Sequence, residues 1–271
     1  MPELPEVETT RRGIELHVRG VAITEIIVRR RDLRQPVSKS ISTIRGCTIT
    51  HVRRRAKYLL LEVSDGSTLL AHLGMSGSLR VVSHADAWRT HDHLAITLAN
   101  SKQPRFHDPR RFGLFLRITG DPARHVLLRN LGPEPLEEEF TALCLYESCA
   151  KRTAAIKSVI MDAKVVVGVG NIYASEALFR AGVLPQTPAK RVSKAKLEKL
   201  VTAIRDVLAE SIRQGGTTLR DFLHSDNEPG YFKRQLFVYG RKEEPCRVCG
   251  TAIRAAVINQ RMTYWCPRCQ R

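Results

Sequence analysis

The hydrophobic pattern changes period once along this chain, and that change constrains the fold more than any other feature. Between residues 21 and 118 apolar side chains come in seven short β-type runs. These are VAITEIIV (21–28), CTITHV (47–52), YLLLEV (58–63), STLLAHL (67–73), SLRVV (78–82), HLAITLA (93–99) and FGLFLRI (112–118). Turn signals separate them, among them Ser64-Asp65-Gly66-Ser67, so they read as strands of a mostly antiparallel sandwich. The breaker Leu131-Gly132-Pro133-Glu134-Pro135 ends this regime. Beyond it the spacing is helical. Ser193 to Gln214 carries Leu197, Leu200, Val201, Ile204, Val207, Leu208 and Ile212 on one stripe, closed by Gly215-Gly216. Two shorter helices are expected over about 153–163 and 171–181, and a further one over 5–19, where Val7, Ile14 and Val18 share a face. The expected fold is therefore α+β: an N-terminal antiparallel β-sandwich flanked by helices, then a helical C-terminal domain. The expected divisions are 1–130, a hinge at 131–136, a helical domain at 137–235 and a small module at 236–271.

Charge narrows the function. Against 27 Asp+Glu the 271 residues carry 44 Lys+Arg, a net charge of +17, which points to a polyanion and first of all to nucleic acid. The 43% hydrophobic content is that of a folded chain. No run of about 18 uncharged apolar residues occurs. The first twenty residues hold Glu3, Glu6, Glu8, Arg11 and Arg12, so neither a membrane span nor a secretory signal is expected. A cytosolic location would keep the seven cysteines reduced.

Four of those cysteines form a pattern: Cys246-x-x-Cys249, sixteen residues, then Cys266-x-x-Cys269. Each pair can present two thiolates to one tetrahedral ion, and the spacer is long enough for a β-hairpin, so one structural zinc is expected. The 236–271 module is itself basic, with seven Lys/Arg against two Asp/Glu. Cys47, Cys144 and Cys149 lack such partners and read as buried thiols. The Gly168-Val169-Gly170 element has Tyr173 where a dinucleotide fingerprint needs glycine. It fits either a plain interhelical turn or a helix N-terminus that takes a phosphate. Phe106, Phe112 and Phe115 read as core, and His72, His91, His93 and His107 show no metal-ligand spacing. At the start, removal of Met1 would expose a secondary amine on Pro2, beside Glu3. An α-amine has a pKa near ~8, so part of it is neutral and nucleophilic at pH 7. Taken alone, the segment reads more simply as a solvated, proline-started helix.

Taken together, these segments resemble the bacterial formamidopyrimidine-DNA glycosylases. The matching stretches are PELPEVET (2–9), RRAKYLLLE (54–62), HLGMSGSLR (72–80), HDH (91–93), DPRRFG (108–113) and LGPEPL (131–136). They continue with VVGVGNIYASEALF (166–179), QGGTTLRDFL (214–223), PGYF (229–232), VYGR (238–241) and the cysteine hairpin. The resemblance implies excision of oxidised purines from duplex DNA, followed by strand cleavage at the abasic site. It makes Pro2 the nucleophile at C1′, Glu3 the proton donor, Lys57 an aid to β-elimination and Arg261 an aid to δ-elimination. Met75, Arg110 and Phe112 become the wedge that fills the space of an extruded base, and His91 and Lys151 further DNA contacts. His72, Asn171 and Tyr239, with Lys57 and Arg261, become a phosphate clamp, and the 165–171 turn part of a helix–two-turns–helix motif. Residues 217–228 would form a cap over the base, with the DNA in a basic cleft between the domains and the enzyme a cytoplasmic, nucleoid-associated monomer. Leu4 and the long 217–228 loop favour this family over the endonuclease VIII type. A non-catalytic zinc-ribbon DNA binder would leave Pro2-Glu3 with Lys57 unexplained.

Overall fold

The computed structural model describes residues 2–216 and 236–271. Met1 and the expected cap at 217–228, with the matching stretch 229–232, lie outside the described residues. These fall into two units, one built from 2–129 with 214–216, the other from Asn130–Arg213 with 236–271.

The first unit opens with helix α1 (Leu4–Val18). Val7, Ile14 and Val18 are all buried against the sheets, as their spacing predicts. Eight strands follow: β1 (Ile23–Val28), β2 (Ile49–Arg55), β3 (Tyr58–Val63), β4 (Ser67–His72), β5 (Ser78–Ser83), β6 (Asp92–Leu98), β7 (Lys102–His107) and β8 (Leu114–Thr119). They form two four-stranded antiparallel sheets, ordered β1-β6-β7-β5 and β2-β3-β4-β8. Leu59, Leu61, Leu69 and Ala71 of one sheet meet Ile23, Leu94, Ile96 and Phe106 of the other in a single core. The sandwich is as the alternation predicts.

One strand escapes the pattern. β7 reads Lys-Gln-Pro-Arg-Phe-His, too polar for a core strand and interrupted by Pro104. Its partners explain it. The β6–β7 register ends at Ala95↔Arg105, one residue short of Pro104, so the proline closes that ladder rather than interrupting it. Arg105 is buried at 1% exposure. Its guanidinium donates to the carbonyls of Asp86 and Ala87 at 2.7 and 2.9 Å and lies over the Trp88 ring at 4.5 Å. Asp92 supplies the counter-charge, 2.9 Å from buried Arg80 and 3.8 Å from Arg105, with His107 Nδ1 at 3.0 Å. Burial acts to raise the Asp92 carboxyl, but the His107 hydrogen bond, the Arg89 amide and the Arg80 charge override it and bring it down to about 2.

The second unit is helical. Its helices are α2 (Ala142–Cys149), α3 (Ile156–Ile160), α4 (Asn171–Arg180) and α5 (Lys194–Arg213), and a hairpin of β9 (Arg254–Ile258) and β10 (Arg261–Trp265) completes it. All seven stripe residues of α5 are buried. Tyr173 of α4 and Ser211 of α5 share a 2.6 Å hydrogen bond in the interior. The helix expected over about 153–163 is shorter, and α2 was not evident in the pattern: only Leu145 and Cys149 of it are buried, while Leu143 and Tyr146 face solvent.

Asp92→Asn leaves two buried guanidinium groups without their counter-charge and is expected to cost about 3–5 kcal/mol, measurable by urea denaturation at pH 7. Because the folded-state carboxyl ionises near 2 and an unfolded one near ~3.9, the parent keeps this contribution above about pH 4. It loses it as the pH falls from about 4 towards 2, and the variant should lack that portion of the acid transition.

Candidate functional site

At the N-terminus, Pro2 and Glu3 are buried rather than solvated. The Glu3 amide donates to Glu6 Oε2 at 2.8 Å, which fixes the first turn of α1. Gly216 approaches the same carboxylate so closely that a Cβ there would sit 3.1 Å from Glu6 Oε1. Lys57 is presented half-buried by the two-residue turn between Arg55 and Tyr58, where Ala56 takes φ 53° to close the hairpin.

Two loops of this unit meet through glycines. A Cβ on Gly74 (φ +68°) would lie 2.4 Å from Gly113 N, and one on Gly113 would lie 2.7 Å from the His72 carbonyl oxygen. Only glycine allows that backbone contact. It sets an open pocket of about 320 Å³ lined by Arg34, His72, Gly74, Met75 and Phe112. Three of the expected DNA-contacting residues are thus brought together. Arg34, whose amide donates to the Gly113 carbonyl at 3.1 Å, is an addition; it follows Arg29, Arg30 and Arg31 in an arginine-rich stretch, where nothing in the sequence sets it apart.

The reading of three core phenylalanines needs one correction. Phe106 and Phe115 are fully buried and meet edge-to-face at 5.8 Å, but Phe112 is 47% exposed. It follows a loop with Arg111 at φ +57°, which turns the Phe112 ring out of the sandwich. The Arg110 guanidinium lies over that ring at 4.8 Å.

His72 is lowered to about 4, first by burial and then by the charges of Arg34 and Lys57. Its Nδ1 accepts from the Gly74 amide at 2.9 Å, so the ring is neutral at pH 7 and its proton sits on Nε2, a donor for an anionic oxygen. The Tyr58 ring is 4.9 Å away. His91 is exposed, with the rings of His93 and His107 at 6.2 and 5.9 Å. His93 and His107 are structural: His93 Nε2–H donates to the Asp108 carbonyl at 2.8 Å and His107 bonds to Asp92.

The second unit holds Lys151, Asn171, Tyr239 and Arg261. Lys151 is exposed just after α2, and Arg261 is exposed as the first residue of β10, after a turn with Asn259 and Gln260 at φ 46° and 59°. Asn171 opens α4. Its Nδ2 donates to the Met262 carbonyl at 2.9 Å, while Lys157 Nζ donates to Asn171 Oδ1 at 2.6 Å and to Thr263 Oγ1 at 2.7 Å. Lys157, 2% exposed, therefore ties α4 to the hairpin. Glu176 does similar work: its buried carboxylate accepts the amides of Phe237, Val238 and Tyr239 at 2.8, 3.0 and 2.9 Å, and burial pushes its carboxyl up. Lys157 is the only charged residue of α3, and Glu176 the only acidic residue of α4; that was the sequence signal for both.

The four expected zinc ligands converge. All four sulfurs lie within 4.8 Å of one another, with Cys246–Cys269 at 3.9 Å and Cys249–Cys266 at 3.5 Å. A tetrahedral site with Zn–S bonds of ~2.3 Å needs sulfurs about 3.8 Å apart. The Thr251 hydroxyl and amide draw the Cys249 thiol down to about 6, whereas burial pushes Cys266 and Cys269 up. So crowded a set gives up all its protons only to a cation. The donor set and its geometry fit one structural zinc. Stripping the ion with a chelator is expected to lower affinity for duplex DNA by about tenfold or more while the far-UV signal of the sandwich persists. Unchanged affinity after full zinc loss, measured by metal analysis and fluorescence anisotropy on one sample, would detach the module from nucleic-acid binding.

Family models match three segments: the formamidopyrimidine-DNA glycosylase N-terminal domain at 1–115, its H2TH domain at 131–223, and a zinc finger found in FPG and IleRS at 243–271. Curated formamidopyrimidine-DNA glycosylases from Methylococcus capsulatus and Cronobacter sakazakii are each 54% identical, over 100% of both chains. The crystal structure of the MutM (Fpg) protein of Thermus thermophilus is 37% identical with TM-score 0.90, covering 99% of this chain and 98% of that one. The Lactococcus lactis Fpg in complex with DNA containing an abasic site is 32% identical with TM-score 0.92, covering 99% of each. With matching models across most of its length and full-length relatives above half identity, the chain belongs to the formamidopyrimidine-DNA glycosylase family.

Proposed function

We propose that this chain excises 8-oxoguanine and formamidopyrimidines from duplex DNA in base excision repair, and then cuts the strand by β,δ-elimination. The observation that carries the reading is the exposed Phe112 with Arg110 over its face, beside Met75 and the pocket. An aromatic turned out of its own core on a rigid loop suits insertion between base steps, where unstacking costs a few kcal/mol. DNA containing an abasic site is bound by the Lactococcus lactis relative, which supports damaged DNA as the substrate here.

The chemistry then follows from the N-terminus. With Met1 removed, the Pro2 nitrogen attacks C1′ of the extruded nucleotide, the glycosidic bond to the base breaks, and the base leaves with a proton from Glu3. The Pro2 nitrogen then gives its own proton to the Glu3 carboxylate, which passes it to O4′ as the C1′–O4′ bond opens to an iminium. The resulting iminium draws electrons from the sugar. Loss of a C2′ proton expels the 3′ phosphate, with Lys57 assisting, and a second elimination expels the 5′ phosphate, with Arg261 neutralising the leaving group. Water finally hydrolyses the imine and frees the Pro2 amine. His72, Asn171 and Tyr239, with Lys57 and Arg261, hold phosphates; His91 and Lys151 add DNA contacts. The neutral His72 imidazole does so as a hydrogen-bond donor, not as a charge. The enzyme acts as a cytoplasmic monomer.

A duplex with one 8-oxoguanine should yield a one-nucleotide gap with phosphate at both ends, faster than a duplex with an oxidised pyrimidine gives any product. The opposite preference would assign the chain to endonuclease VIII-type chemistry. Arg261→Ala should slow the second elimination more than the first, so that gels accumulate the β-product with its 3′ sugar remnant. An unchanged β-to-δ ratio at saturating enzyme would remove Arg261 from the catalytic set.

A further inference from the structure

The loop that carries Arg110 and Phe112 is closed by one buried residue that has no place in the chemistry above. Asp108 is 0% exposed. Its Oδ2 accepts the Gly113 amide at 2.7 Å, and its carbonyl accepts the Arg111 amide at 3.2 Å. The same carbonyl takes the His93 Nε2–H at 2.8 Å, and its own amide donates to the His91 carbonyl at 3.0 Å. The carboxylate bond therefore spans the exposed pair and ends on Gly113, where the two loops touch. Between the two ends, Arg111 is held to Asp32 at 2.7 Å. Phe112 cannot swing on its backbone without breaking the bond from Asp108 to Gly113.

The second carboxylate oxygen is the odd feature. Asp108 Oδ1 is buried with no hydrogen-bond partner among the described residues. Among the described residues the Asp108 carboxylate is thus committed to the Gly113 amide alone. A wedge on a slack loop would have to lose its freedom at the moment it enters the duplex, adding to the cost of unstacking. A wedge already closed by a buried acceptor has lost that freedom on folding.

We propose that Asp108 is the positioning residue for base extrusion: it holds Arg110 and Phe112 in the inserting geometry before DNA arrives. The inference rests on the reading of Phe112 as the wedge. It touches neither substrate nor reacting atoms, so its loss should appear where extrusion is needed and not where the base is already gone.

The test compares single-turnover rates on a duplex with 8-oxoguanine and on the same duplex with a preformed abasic site, for Asp108→Ala, Asp108→Asn and Phe112→Ala. Fluorescence of a 2-aminopurine next to the lesion reports unstacking. Asp108→Ala should lose about tenfold or more on the lesion and under about threefold on the abasic site, with a weaker 2-aminopurine rise. Asp108→Asn keeps an oxygen for the Gly113 amide and should stay within about threefold of the parent on both. Equal losses on the two substrates, no loss on either, an Asn variant as impaired as the Ala variant, or an Ala variant that no longer folds would each overturn a role confined to the loop. Phe112→Ala separates the two readings. If it is selective for the lesion and Asp108→Ala is not, positioning fails and the wedge stands. If it impairs both substrates equally, the wedge reading itself falls.

Discussion

Gly74 and Gly113 touch through their backbones, and the pocket wall follows from that contact. A side chain on either would fall 2.4–2.7 Å from backbone atoms of the other loop, so the two loops would part by the width of a methyl group. Met75 follows one glycine and Phe112 precedes the other. Their side chains reach the same pocket because the glycines abut. The sandwich beneath supplies the rigidity: Phe106 and Phe115, fully buried, flank the loop that leaves Phe112 outside. Work on DNA asks for this division, since a side chain that must enter a stacked duplex gains from being held by a core it does not join.

Charge is handled in two ways in the molecule. The chain's net charge of +17 draws a polyanion, with salt-dependent affinity as the consequence. Buried charges serve as fixtures. Arg80 and Arg105 share Asp92 as their counter-charge, and Arg105 also binds the loop leading to His91. In the second unit Lys157 joins Asn171 to β10, and Glu176 gathers three successive amides up to Tyr239. Asp92, Lys157 and Glu176 each sit one residue or one bond away from a side chain proposed to meet DNA. Such groups are expensive to bury unless fully paired, and here pairing also sets the position of the exposed neighbour.

Much of this could be read from the chain. Alternation found the sandwich strands whose inward faces are aliphatic, and the i, i+3, i+4 stripe found α5. The paired C-x-x-C motifs found the zinc ligands, because a tetrahedral ion fixes the spacing of its donors. What stayed hidden was held by polar partners. β7 buries Arg105 and Gln103 on the face away from the sandwich core, under the 86–88 loop, and an arginine reads as surface until its carbonyl and carboxylate acceptors are known. Phe112 could not be told from Phe106 and Phe115 by spacing, since exposure depends on the left-handed turn at Arg111. Arg34 is an ordinary residue in sequence. Lys157, the only charge of α3, and Glu176, the only acid of α4, each mark a position without naming the partner that gives it its role.

The central claim is that the chain's own second residue is the nucleophile. Borohydride reduction during turnover on an 8-oxoguanine duplex traps the enzyme–DNA imine as a stable amine, and peptide mapping locates the link. The account predicts a covalent complex joined through Pro2, abolished by N-terminal acetylation. A crosslink on an internal lysine, or robust strand cleavage with no trapped complex, would contradict it.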